Sequence, residues 1–270
     1  MKVVTRGPKI GRCNICGNYG PLTEDHTPPK GNIRVSQVEM RHIVEHLNAG
    51  AAVGKGRISQ DGVKYRTLCS VCNNTRLGSE YDPAFIDFTG KVAALLNSSL
   101  ALPPVIAVEG KPQRIIRSVL GHIAAQGLDR FDMGAIAKPM RNYFLNPGAK
   151  LPSSVSVYYW VYPFQKQVLI RDCALTDLTI KNHEPVSLWL MKFYPLAFMV
   201  TWDKPTNYAV DAPNLGDYRS LGIDDVVQIP IPLRPVKHEF WPEAPTTHSF
   251  LLYGDGAIGA IKRPPRKPRR

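Results

Sequence analysis

Two Cys-x-x-Cys pairs, CNIC at 13–16 and CSVC at 69–72, constrain this chain more than any other feature. They use four of its five cysteines; the fifth, Cys173, stands alone in an apolar run. Paired knuckles of this kind grip one zinc ion tetrahedrally through four thiolates. A shared ion would draw together the two ends of a segment whose inner cysteines, Cys16 and Cys69, are 53 residues apart. Cys13, Cys16, Cys69 and Cys72 would fill every zinc position, so the expected role of the metal is structural. Sparse cysteines in this pattern fit a reducing compartment, and a cytoplasmic location is expected.

Between the knuckles lies LTEDHTPPKG, residues 22–31. Pro28 and Pro29 end any regular element that carries Glu24, Asp25 and His26. On a strand, neighbouring side chains point to opposite faces, so Asp25 and His26 diverge. VKYRTLC at 63–69 alternates and reads as a strand entering the second knuckle.

The combination CNIC, LTEDHTPPKG and LCSVCNNTRLGSEYD resembles the HNH endonuclease superfamily, in the subgroup where two knuckles brace a β-hairpin and helix around one divalent ion. The resemblance covers about residues 10–82 and implies an HNH-type phosphodiester hydrolase acting on DNA, as nickase or endonuclease, in restriction or phage defence. It implies His26 as general base, Asp25 and Asn73 as ligands of Mg²⁺ or Mn²⁺, and Arg76 as a phosphate clamp. An imidazole with an ordinary pKa near 6.5 suits the first role, and hard oxygen donors suit the second. Residues 49–67 contain no Asn or His for the family's middle position, leaving Gln60 or Asp61 there. The alternative reading is a non-catalytic zinc-ribbon nucleic-acid binder.

The expected fold class is α+β: an N-terminal ββα-metal zinc module over 1–82, a helical segment over 83–150, and a mostly antiparallel β-rich region over 151–254. Within the first segment, VSQVEMRHIVEHLN at 35–48 has the apolar spacing of an amphipathic helix. His42 and His46 would lie four apart on it, at the surface or core edge. PAFIDFTGKVAALLNSSL and KPQRIIRSVLGHIAAQG read as helices, and FDMGAIAKPMRNYFL as a third, weakened by Pro139. His122 sits in an apolar helix and reads as a packing histidine. Five β-branched and aromatic runs from 153 to 233 predict a sheet of about five strands whose aromatics form core.

The net charge of +12 is concentrated at the ends of the chain. Residues 1–82 hold twelve Lys and Arg against seven Asp and Glu, and the last nine residues hold six basic residues and no acid. Residues 255–270 read as a basic, disordered tail for phosphate backbones. Lys30, Arg76, Lys262, Arg263, Arg266, Lys267, Arg269 and Arg270 are the candidate nucleic-acid contacts. No apolar run reaches the length of a membrane span, so no membrane partner is expected. The nearly neutral C-terminal region is the expected surface for self-association or a partner protein.

Overall fold

The computed structural model describes residues 3–33, 36–47, 56–134, 136–177, 185–204, 209–233, 239–243, 249–254 and 256–263. The chain opens with β1 (Ile10–Arg12) and β2 (Tyr19–His26), followed by β3 (Val38–His42) and the short α1 (Ile43–Leu47). β4 (Arg57–Ser59) and β5 (Lys64–Cys69) lead into a π-wound segment, Val71–Tyr81, that runs directly into α2 (Asp82–Leu96). β6 (Val105–Gly110), α3 (Pro112–Ala125) and α4 (Ala137–Leu145) come next. The remaining described elements are β7 (Val155–Val161), β8 (Gln167–Asp177), β9 (Val186–Phe193), β10 (Leu196–Trp202), a single 3-10 turn at Leu215–Tyr218, β11 (Val227–Pro232), β12 (Ser249–Tyr253) and β13 (Ile258–Lys262).

Among the described residues, three antiparallel sheets result. β1, β2 and β5 form a small sheet, and β6 pairs with β11 in a two-stranded ribbon. The main sheet runs β4-β3-β13-β8-β9-β10-β7, with β12 continuing along the β8 edge that β13 begins. Its two faces alternate along β7: Val155, Val157 and Tyr159 join the core beneath the helices, whereas Tyr158, Trp160 and Tyr162 join the opposite cluster with Ile43, Ile170, Leu188 and Met199. The larger core runs without a break from Cys13 and Leu68 through Phe85 and Ile116 to Trp189 and Ile258.

The two long helices form as their spacing predicts. Each carries proline in its first turn, where no intrahelical N–H partner is needed. In α4, Pro139 is the third residue and is tolerated for the same reason. Phe85 of α2 meets Phe193 and Phe198 edge-on at ring-centroid distances of 5.8 and 5.3 Å, locking helix to sheet.

Several expectations need correction. The helix over 35–48 is a strand followed by five helical residues: Val38, Met40 and His42 alternate inward, and β13 and β4 pair with β3 on either side. That segment held both periods, and sheet pairing decided between them. The main sheet has eight strands rather than about five, because β3 and β4 join from the N-terminal part and β12 and β13 from the far end. Of the five predicted runs, VVQIPIPL pairs instead with β6, where Pro230 and Pro232 can lie in a two-stranded ribbon without interrupting a central ladder. The stretch expected to be tail begins as β13, bonded to β3 and β8. Lys262 ends that strand, and Arg263 Nε lies 3.5 Å from Glu39 Oε2. Arg266, Lys267, Arg269 and Arg270 lie outside the described residues.

Candidate metal centre and adjoining site

The antiparallel pairing of β2 with β5 brings the knuckles together, setting Leu22 opposite Cys69 and His26 opposite Lys64. The first knuckle closes on itself: Gly17 N donates to Cys13 O at 3.0 Å and Cys13 N donates to Asn18 O at 3.0 Å. Gly17 turns the chain at φ +78°, and a Cβ there would run into the Phe131 ring. The module docks on the C-terminus of α3, whose last carbonyls need partners. Asn14 Nδ2 donates to Gly127 O at 2.9 Å, Thr67 Oγ1 to Ala125 O at 2.6 Å, and Arg171 Nη1 to Ala124 O at 2.6 Å.

The Sγ atoms of Cys13, Cys16, Cys69 and Cys72 all lie within 4.8 Å of one another, with Cys16 and Cys69 at 3.6 Å. A tetrahedral zinc site with Zn–S bonds of ~2.3 Å places its sulfurs ~3.8 Å apart, so the cluster fits zinc without rearrangement. Crowding makes the thiols unequal. Cys13 falls to about 5 because it accepts the Cys72 hydrogen bond, Cys72 rises as that donor, and burial pushes Cys16 up to about 11. Four thiolates at this spacing require a cation among them.

β2 places Asp25 and His26 on opposite faces, as the strand reading required. Asp25 is buried and His26 half-buried. Burial and the facing Lys64 both hold the His26 imidazole below its ordinary pKa, favouring the neutral ring at neutral pH. Glu24, beside it, is clamped by Arg66 at 3.0 Å, Lys64 at 3.2 Å and Arg6 at 3.3 Å. Burial opposes its ionisation, but these cations outweigh burial and lower its pKa.

Asn73 lies beside the same strand. Its Nδ2 donates to Thr23 Oγ1 at 2.8 Å and to Glu24 O at 3.1 Å, leaving Oδ1 as its remaining donor oxygen. Arg76 does not share its face. The segment is π-wound, with the Asp82 N–H reaching back to Leu77 O, so buried Leu77 follows Asn73 inward while half-buried Arg76 pairs with Glu80 at 2.8 Å. Asp61 pairs with Lys64 at 3.2 Å, Gln60 accepts from Gln37 at 2.6 Å, and Lys30 is exposed beyond the prolines. His42 is buried, with Nε2 at 3.3 Å from Gly254 O; the His46 side chain lies outside the described residues. The aromatics Tyr159, Trp160, Tyr162, Trp189, Phe193 and Phe198 are core, as expected.

Sequence reading missed what Asp25 faces. His122 Nδ1 lies 2.9 Å from Asp25 Oδ2, and His122 Nε2 lies 2.9 Å from Asp82 Oδ1. Thr27 Oγ1 donates to Asp25 Oδ2 at 3.1 Å, and Ser118 Oγ donates to Asp82 Oδ1 at 2.7 Å. Burial alone would lower the His122 pKa, but the two carboxylates raise it to about 10. The only sequence signal was a lone histidine in the apolar run over 119–125 of α3.

No family model, curated protein or solved structure matches the chain. The chain is a mixed α+β protein with a four-cysteine cluster near its N-terminus whose spacing suits a metal ion. Among the described residues, no helix is long and apolar enough to cross a membrane.

Proposed function

We propose that the protein is a metal-dependent endonuclease or nickase that hydrolyses phosphodiester bonds in DNA, with its site at the C-terminal end of β2. The observation that supports it best is the Asn73 contact with Thr23 and Glu24. It ties the segment after the second knuckle to the strand that carries His26, directly beside the four-cysteine cluster.

His26 serves as general base. Its half-buried position and lowered pKa leave a neutral ring to take a proton from the attacking water at neutral pH. Asp25 and Asn73 suit Mg²⁺ or Mn²⁺, since each retains one hard oxygen beyond its hydrogen bonds. A divalent ion held there supplies Lewis-acid stabilisation of charge on the phosphate oxygens. Arg76 exchanges Glu80 for a phosphate oxygen, and exposed Lys30 extends the contact along the backbone. Plasmid incubated with the zinc-loaded protein and Mg²⁺ or Mn²⁺ should become nicked or linear. His26→Ala should lose this by at least a hundredfold while keeping zinc and fold; equal activity in that variant refutes the assignment.

The burial of Asp25 against His122 supports a second reading, a zinc-braced nucleic-acid binder without hydrolysis. Salt-sensitive DNA binding with no cleavage under any divalent ion would select it.

A further inference from the structure

Asp25, His122 and Asp82 form a line of three buried polar groups that joins β2, α3 and α2. His122 and Asp25 are 1% and 3% exposed, and Asp82 is 8% exposed. Both imidazole nitrogens face a carboxylate oxygen at 2.9 Å. Each ring nitrogen is tied to an oxygen on a different element, so the ring orientation is fixed at both ends. Such an arrangement is costly: buried ion pairs are often no more stabilising than apolar residues of the same volume. A histidine that served packing alone would need one acceptor, not two.

The two carboxylates are held differently. The far carboxylate, Asp82, also accepts from Ser118 at 2.7 Å. The near one, Asp25, takes both of its bonds on Oδ2, from His122 and from Thr27. Its other oxygen is therefore held in place with its hydrogen-bonding capacity unused.

We infer that His122 is a positioning residue for Asp25, fixing the carboxylate through Oδ2 so that Oδ1 is presented as a single preorganised ligand oxygen. Asp82 and Ser118 in turn fix His122. This inference rests on the nuclease reading, because it takes Asp25 as a ligand of the divalent ion. Outer partners of this kind typically change metal affinity 10–100-fold when removed.

The test is Mn²⁺ binding to the zinc-loaded full chain by calorimetry, with zinc content and circular dichroism in parallel. Asn at 122 places an amide near the former Nδ1 and retains a donor toward Asp25. Gln places it near Nε2 and retains the one toward Asp82. His122→Asn should therefore bind Mn²⁺ within about tenfold of wild type, and His122→Gln should lose about 10–100-fold. Affinity in His122→Gln equal to or above that of His122→Asn overturns the inference while leaving the nuclease reading intact. If neither variant folds, Asp82→Asn decides: about a tenfold loss supports the inference and wild-type affinity overturns it. A wild-type protein that binds no Mn²⁺ beyond its zinc sinks the nuclease reading itself, and this inference with it.

Discussion

Asn73 donates its side-chain amide to the main-chain carbonyl of Glu24 at 3.1 Å, linking the residue after the last zinc-knuckle cysteine to the strand two positions before His26. Asn73→Asp keeps an oxygen for a cation but loses the donors to Glu24 and Thr23. Leaving these partners unsatisfied should lower stability by about 1–3 kcal/mol in urea unfolding. A variant as stable as wild type would show that the strap contributes little.

Metal analysis should find one zinc per chain. Cys72→Ser should lose it, and chelation should expose the β1-β2-β5 amides to hydrogen exchange, since structural zinc contributes on the order of 10 kcal/mol to small modules. Unchanged exchange after the metal is stripped would contradict a structural role.

Gly17→Ala should destabilise the first knuckle by about 1–3 kcal/mol, since it meets both a left-handed backbone and the Phe131 ring. Thermal melting of the zinc-loaded variant tests this, and an unshifted melting temperature would count against the close approach.

His122 makes stability depend on pH. Its folded pKa, about 10, lies above the ordinary value of 6.5, so its stabilisation is complete below pH 6.5 and is lost as pH rises toward 10. Wild-type stability in urea should fall by a few kcal/mol between pH 6.5 and 10. His122→Gln should flatten that slope, and parallel slopes would rule out the buried imidazolium.

Phe85→Ala opens a cavity where α2 meets the sheet and should cost about 3–5 kcal/mol. Because one core runs from Cys13 to Ile258, the small and main sheets should unfold in the same transition. Separate transitions by probes in each sheet would show independent units.

The sequence by itself determined the local features: the knuckles whose sulfurs converge, the divergence of Asp25 and His26 on a strand ended by proline, the helices α2 and α3, and the aromatic strands as core. The elements follow from spacing and periodicity within a few residues, and the convergence of the sulfurs from the four positions of one shared zinc ion. Tertiary structure alone decided that Val38–His42 is a strand, because its partner β13 lies some 220 residues along the chain. It also decided that His122 faces Asp25 across 97 residues, and that π-winding turns Arg76 away from Asn73's face. Periodicity says which face of an element is apolar but not what the opposite element presents to it. A buried charge is therefore recognised only once its partner is in place.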